Sequence, residues 1–316
     1  MKILVTGANG FVGRAVCRRL LSEAWTVAGA VRRQVTLQAG VEARHIGEIG
    51  PGTDWDQALA GVQAVVHLAA RVHVMKDKAA DPLAAFRRVN TEGTLRLAEV
   101  AAQAGVKHFI FMSSIKVNGD GTEPGRPFRA DDAVAPQDPY GRSKWEAEQG
   151  LAELSARTGM AVTILRPPLI YGPGVGGNLQ ALLTVLSRGV PLPLGLVDNR
   201  RSLLCVENLA DAVACCLAGG QDDGCATYLL RDGYDVSTPE LIRLLCAGLG
   251  RKSRLLPIPP ALLRLAGVLS GRKPAVDRLL GSLQVDDAPF CQRFSWSAPV
   301  APEDGIKRMA AWFAGS

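Results

Sequence analysis

The chain has 316 residues, of which 47% are hydrophobic and 21% charged, the proportions of a globular protein long enough to bury a sizeable core. A net charge of +6, without a dense basic run interleaved with aromatics, gives no case for nucleic acid. No stretch approaches the roughly 18 uncharged apolar residues of a membrane span, and seven scattered cysteines without paired metal-ligand spacing fit reduced thiols in a cytoplasm.

The elements follow in chain order. Lys2–Thr6 is a short apolar run that reads as a strand, with no basic or cleavable apolar leader before it, so the expected location is cytoplasmic. Gly7, Gly10 and Gly13 come next, spaced Gly-x-x-Gly-x-x-Gly, and a helical pattern runs on through Leu21. Glycines in a tight strand-to-helix turn let a pyrophosphate approach the amides at the positive helix end, here those of Phe11, Val12 and Gly13. Gly13 also lets the helix pack closely on the strand. Trp25–Val31 reads as a second strand and ends in Arg32-Arg33. An acid at that place holds the adenosine ribose hydroxyls, whereas arginine pairs with a 2′-phosphate. The spacing therefore favours NADP(H), with NAD(H) as the other option. Glu48 and Ile49 are expected to border the adenine.

Ala64–Leu68 is a third apolar run; Leu68, Ala69 and Ala70 end it beside the expected cofactor path, and His67 reads as a structural histidine. Leu83–Ala104 reads as a helix, His108–Met112 as a strand, Tyr140–Thr158 as a helix and Val162–Arg166 as a strand. Strands too continuously apolar for a half-exposed sheet, alternating with helices, specify a doubly wound parallel sheet. Within the second helix Tyr140 and Lys144 stand at i and i+4, on one face. A tyrosine beside a fixed cation loses its proton below its reference value of about 10 and becomes usable for acid/base chemistry. With the glycine turn, this pair points to hydride chemistry on a nicotinamide cofactor.

After Arg166 the chain is punctuated by Pro167-Pro168, Tyr171–Gly177 and Pro191-Leu-Pro193, a density of glycine and proline that favours loops between small elements. The expected division is a dinucleotide-binding domain over 1–168, to which about 196–222 returns, and a smaller substrate-binding lobe over 169–195 and 223–316. Pro260–Leu269, the most apolar stretch, carries Arg264 and is read as a buried amphipathic helix. The four histidines, 45, 67, 73 and 108, lack a metal-binding spacing with acids, so no metal site is expected.

Five motifs carry a resemblance: Thr6–Gly13, His67–Ala70, Asn90–Thr94, Ser113-Ser114 and Tyr140–Lys144. In content and order they resemble the extended short-chain dehydrogenases/reductases, over essentially the whole chain. The nucleotide-sugar epimerase, dehydratase and 4-ketoreductase branch is the nearest in pattern. Ser113–Gly119, Arg166–Pro173 and Arg201–Leu204 resemble its reductases that make N-acetyl-6-deoxyhexose units for bacterial surface polysaccharides. The resemblance implies a Rossmann fold and a UDP-linked sugar substrate. It makes Tyr140 the acid/base on the sugar oxygen. Lys144 becomes the residue that holds the nicotinamide ribose and lowers the tyrosine, and Ser114 the hydrogen bond to the same oxygen. It also places Asn90 and Pro167 against the cofactor, and Asn178 and Arg201 on the nucleotide diphosphate. Lys116 stands where the family has threonine and is expected at the substrate; Asn118 replaces a tyrosine.

The reaction so implied is NAD(P)H-dependent reduction of C4 in a UDP-4-keto-6-deoxy-N-acetylhexosamine. The alternative is a UDP-hexose or UDP-N-acetylhexosamine 4-epimerase with retained NAD. A redox-sensing regulator on the same fold is disfavoured because Tyr140 and Lys144 are both present. The substrate pocket is expected from loops around 72–82, 116–132 and 169–195. A homodimer is expected through the helices 83–104 and 140–158, with Leu95, Leu97, Ala98, Ala101, Trp145, Leu151 and Leu154 on the contact faces.

Overall fold

The structure, a computed structural model, describes residues 1–72, 81–123, 125–219, 224–271 and 273–315; His73 and most of the 72–82 loop lie outside them. The first half alternates strand and helix: β1 (Lys2–Thr6), α1 (Phe11–Ser22), β2 (Thr26–Val31), β3 (Val41–His45), α2 (Asp56–Leu59), β4 (Ala64–His67), α3 (Pro82–Arg87), α4 (Gly93–Gln103), β5 (His108–Met112), α5 (Pro139–Thr158) and β6 (Ala161–Arg166). A π-helical turn, Arg88–Glu92, joins α3 to α4, so the helix expected over 83–104 runs through with a π turn inside it. The second half holds β7 (Leu169–Tyr171), α6 (Gly177–Ser187), β8 (Leu203–Cys205), α7 (Val206–Ala218), β9 (Cys225–Leu229), α8 (Thr238–Gly248), α9 (Pro260–Leu269), α10 (Lys273–Leu280), α11 (Ala288–Phe294) and α12 (Pro302–Ala314).

Seven parallel strands form the main sheet in the order β3-β2-β1-β4-β5-β6-β9. Alternate residues of each strand serve opposite faces. Ile3 and Val5 pack with Val16 and Leu20 of α1 and Leu209 and Val213 of α7. Leu4 packs on the other side with Leu97 and Ala101 of α4 and Leu151 and Leu154 of α5. Each such fully buried side chain stabilises the fold by about 1.5–3 kcal/mol relative to exposure. The strand order reverses between β1 and β4, which opens a crevice at the carboxyl ends of those strands.

Two expectations change here. Cys225–Leu229, assigned to the lobe, is the edge strand of the main sheet, in register with Val162–Arg166; Phe290 of α11 and Trp296 also join the sheet's core. The segment 196–222 contributes helix α7, which packs on the main sheet, while β8 pairs with β7 in a separate two-stranded sheet. Around that small sheet α6, α8 and α12 build a second core, from Leu183, Ile242, Leu245 and Met309 among others. Finally, α9 is not buried: of its ten residues only Gly267 is.

Candidate active site

The glycine turn closes on itself by backbone contacts. Gly10 N–H donates to the Gly7 carbonyl at 2.9 Å, and Gly7 takes a left-handed φ of 69°, which glycine adopts without strain. A Cβ on Gly13 would come within 2.0 Å of the Gly7 oxygen, and one on Gly7 within 3.1 Å of the Ala69 nitrogen. The turn therefore accepts no side chain at either place and sits directly on the end of β4. Helix α1 begins with no side-chain cap and no acid in its first turn, so its leading amides and positive end face an anion unopposed. This glycine cradle fits a dinucleotide pyrophosphate.

A buried chain of hydrogen bonds runs from this turn to the helix bearing Tyr140. Thr6 Oγ1 accepts from the amides of Leu68 and Ala69, both at 3.1 Å, and lies 2.7 Å from His67 Nδ1. His67 Nε2 meets Thr94 Oγ1 at 2.9 Å, and Thr94 donates to the Asn90 carbonyl at 2.7 Å. The Asn90 amide donates to the Arg71 carbonyl and to Ser143 Oγ, both at 3.0 Å, while its oxygen accepts from Arg71 N at 2.8 Å. Ser143 donates in turn to the Tyr140 carbonyl at 2.8 Å. Asn90, expected to touch the cofactor, is fully buried and its side chain is engaged by the protein; it holds the 71 loop against α5. The π turn at 88–92 is what aims it there.

Helix α5 starts at Asp138, whose carboxylate accepts from Gly141 N at 2.7 Å, with Pro139 in the first turn, and ends at left-handed Gly159. A Cβ on Gly141 would lie 2.7 Å from the Lys116 carbonyl, so this glycine seats α5 against the 115–117 turn. Lys144 is buried; its Nζ donates to the Met112 carbonyl at 2.8 Å and stands 4.5 Å over the Phe111 ring. Burial pulls its pKa down to about 7, against the Glu148 carboxylate, which acts to raise it. Tyr140 is partly exposed at the protein surface, but its phenol lies among protein atoms. Burial pushes it up to about 12, while the Ser114 hydroxyl acts to lower it and Asp138 to raise it. The expected lowering of Tyr140 by Lys144 is thus reversed here, because desolvation of the phenolate dominates. Ser114 caps the short turn Ile115–Val117, and Ser113 turns away to donate to buried Glu148.

Glu148 escaped the sequence reading. It receives Arg166 at 3.0 Å from Nε and 2.5 Å from Nη2, both side chains being buried. Arg166 Nη1 also donates to Asn118 Oδ1 at 3.0 Å, and Asn118 donates to the Arg129 carbonyl at 2.8 Å. The departure at 118 thus ties the 129–130 loop to the sheet. The available signal was Arg166 itself: a cation ending an apolar strand needs an acid, and Glu148 lies one helical turn beyond Lys144.

Other expected site residues divide. Lys116 pairs with Asp120 and, at 3.7 Å, with Asp138, the cap of α5. Arg201 donates through Nη1 to the carbonyls of Arg278 and Gly281, at 2.8 and 3.0 Å, clamping the end of α10. Asn178 is exposed in the first turn of α6. Arg32 is not alone, as Glu48 supplies an acid at 3.4 Å, both largely exposed; Arg33 is exposed beside it. Ile49 belongs to the core and packs on Gly93. Leu68 packs on the core under β4, Ala69 and Ala70 are half-buried beside the glycine turn, and Pro167 is buried with its carbonyl accepting from Ile115 N at 3.0 Å.

The model of the NAD-dependent epimerase/dehydratase family matches residues 3–227. The chain belongs to this family. Within the epimerase/dehydratase family, it is 43% identical over 317 aligned residues to a UDP-glucose 4-epimerase of Vibrio cholerae, covering 98% of this chain and 95% of that one. It is 29% identical to an N-acetyl-α-D-glucosaminyl-diphospho-ditrans,octacis-undecaprenol 4-epimerase of Escherichia coli O157:H7, over 87% of this chain and 82% of that one. Its fold is similar to that of a UDP-glucuronic acid 4-epimerase of Bacillus cereus solved with NAD, with a TM-score of 0.79, 20% identity and coverage of 99% and 98%. Among the described residues, no three His, Cys, Asp or Glu side chains group into a metal-binding set, and no helix is long and apolar enough to cross a membrane.

Proposed function

We propose that this protein is a UDP-sugar 4-epimerase that retains NAD. The observation that carries the reading is the 43% identity, over nearly the full length of both chains, to a UDP-glucose 4-epimerase. It ranks the epimerase above the 4-ketoreductase that the sequence favoured. The cofactor preference moves with it, from NADP(H) to NAD(H), since the pairing of Arg32 with Glu48 removes the argument that no acid serves that end.

The residues fit a dinucleotide as follows. The amides of Phe11, Val12 and Gly13 take the pyrophosphate, Glu48 the adenosine end and Lys144 the nicotinamide ribose. NAD bound there would supply reversible hydride exchange with sugar C4, the two-electron chemistry that an inversion at that carbon requires. Tyr140 exchanges the proton of the C4 oxygen, and Ser114 donates to that oxygen as its charge changes. A phenol pushed up to about 12 holds its proton at neutral pH, which suits the step that protonates the C4 oxygen; Ser114 acts in the direction the reverse step needs. Asn178 and Arg201 are the proposed neighbours of the diphosphate, Arg201 through the part of its guanidinium other than Nη1. We also propose a two-fold dimer through α4 and α5, with a smaller contact than the sequence suggested. Leu97, Ala98, Ala101, Leu151 and Leu154 cover this chain's own sheet, which leaves half-buried Leu95 and Trp145 to make the contact.

The test is incubation of the purified protein, with no added cofactor, with UDP-glucose, UDP-N-acetylglucosamine and their C4 epimers. Interconversion, with NAD released on denaturation, is the expected result. Turnover only of a 4-keto sugar nucleotide, consuming added NADPH, would reinstate the reductase.

A further inference from the structure

The chain's positive charge is not spread evenly. Residues 241–276 contain seven Lys or Arg and no Asp or Glu, so the remainder of a chain of net charge +6 sums to −1, that is +6 less +7. Within that segment Arg251, Lys252, Arg254, Arg264 and Lys273 are all exposed. The same segment holds α9, the most apolar stretch of the sequence, and the fold leaves its outer face open. Leu262, Leu265, Val268 and Leu269 are 55%, 56%, 56% and 80% exposed, and Leu256 just before the helix is 47% exposed. Residues 262, 265 and 269 share one face by helical spacing, with 268 flanking them.

The inner face explains the orientation. Gly267 is the buried residue of α9, and a Cβ there would meet the Val276 side chain at 2.9 Å; Leu263 and Val276 join the lobe's core. The helix is thus pinned to α10 by its small residue, and its large apolar residues point away from the protein. Before it, Leu192 and Leu255 pair backbone to backbone, and Gly195 N donates to the Leu256 carbonyl at 2.9 Å, which fixes the basic stretch 251–254 to the lobe. Exposed leucines in such a group are uncommon on a protein that meets only water.

We propose that α9 and the basic segment 251–254 form a membrane-docking surface that seats this protein on an anionic lipid bilayer. Apolar side chains on a short helix enter the headgroup boundary, while flanking lysines and arginines meet anionic headgroups. Charge complementarity selects this occupant: a rim whose exposed cations, Arg251, Lys252, Arg254, Arg264 and Lys273, outnumber the exposed Asp277 of α10 repels a second copy of the same rim and attracts a negative surface. At ten residues, α9 lies in the interface and does not span it.

The experiment is co-sedimentation of the full chain with vesicles of phosphatidylcholine alone and of phosphatidylcholine mixed with phosphatidylglycerol, at low and high salt. The expected result is binding to the mixed vesicles, weakened by salt and much weaker on phosphatidylcholine alone. Leu265→Glu with Leu269→Glu should lower the partition by at least about tenfold. Lys252→Gln with Arg254→Gln, which removes from the fold only the 3.5 Å hydrogen bond of Arg254 to the Gly189 carbonyl, should lower it by roughly tenfold on mixed vesicles only. Melting curves and turnover without vesicles check that the variants fold. Absence of binding to mixed vesicles, or binding unchanged in both double variants, overturns the proposal. So does a wild-type dimer that the leucine variant converts to monomer with no vesicle binding, which would assign the face to a second copy.

Discussion

Thr94 decides which nitrogen of His67 carries the proton. The Thr94 hydroxyl spends its hydrogen on the Asn90 carbonyl, so at 2.9 Å it can only accept from Nε2–H of His67. Nδ1 is then bare and accepts from Thr6, whose own oxygen already receives two amides. One neutral tautomer thereby links the glycine turn to α4, and through Asn90 and Ser143 to the backbone of Tyr140.

The first prediction concerns acid stability. Burial, with Lys144 nearby, pushes His67 down to about 3 from an ordinary 6.5. Below about pH 6.5 the unfolded chain takes up a proton that the native state refuses until about pH 3. Stability is therefore unaffected by His67 above this window and falls as pH drops through it. His67→Gln, though less stable at pH 7, should lose less between pH 7 and 5 than the parent does. Urea midpoints at the two pH values measure this; equal losses would mean that His67 is not the group responsible.

Tyr140→Phe should lower turnover by about 10²–10⁴-fold while NAD stays bound. The ring keeps its edge contact with Phe86, and only the proton-carrying hydroxyl is removed. Turnover within a few-fold of the parent, by coupled assay of the C4 epimer formed, would remove Tyr140 from the acid/base role.

Lys116→Ala tests whether position 116 belongs to substrate or to scaffold. Its ion pairs run to Asp120 and Asp138, so KM for the UDP-sugar should stay within about threefold, and the melting temperature should drop slightly from loss of a partly exposed pair worth up to about 1 kcal/mol. A tenfold rise in KM at unchanged stability would return Lys116 to the substrate.

Arg166→Met leaves Glu148 buried without its cation. Breaking such a pair from one side costs about 3–5 kcal/mol, read as a large fall in the denaturation midpoint. Replacing both, Arg166→Met with Glu148→Leu, should recover much of that loss, since no orphan charge remains. If the single change costs under about 1 kcal/mol, water reaches the pair and it is not the anchor described above.

The motifs proposed to carry chemistry were legible as structure because each is local. Gly7, Gly10 and Gly13 follow from a single turn, and Tyr140 and Lys144 from helical spacing, and both groups lie where the carboxyl ends of β1 and β5 place them. The central strands were legible too, since burial on both faces leaves continuous apolar runs. The edge strands were not: in β3 Glu42, Ala43 and His45 are exposed, and β9 is mostly half-buried, so neither carries such a run.

What only the tertiary structure decided is where charges go and which apolar faces are covered. Lys116, Arg201 and Asn90 have residue types suited to ligands, and only the fold shows that Asp138, the carbonyls of Arg278 and Gly281 (through Nη1 alone), and the Arg71 backbone also engage them. Glu148 and Arg166 are far apart in sequence, and nothing but the fold brings a carboxylate to within 2.5 Å of that guanidinium. The apolar periodicity of α9 reads equally as a core helix or an exposed one. Periodicity reports that a helix has an apolar face and is silent on what, if anything, packs against it.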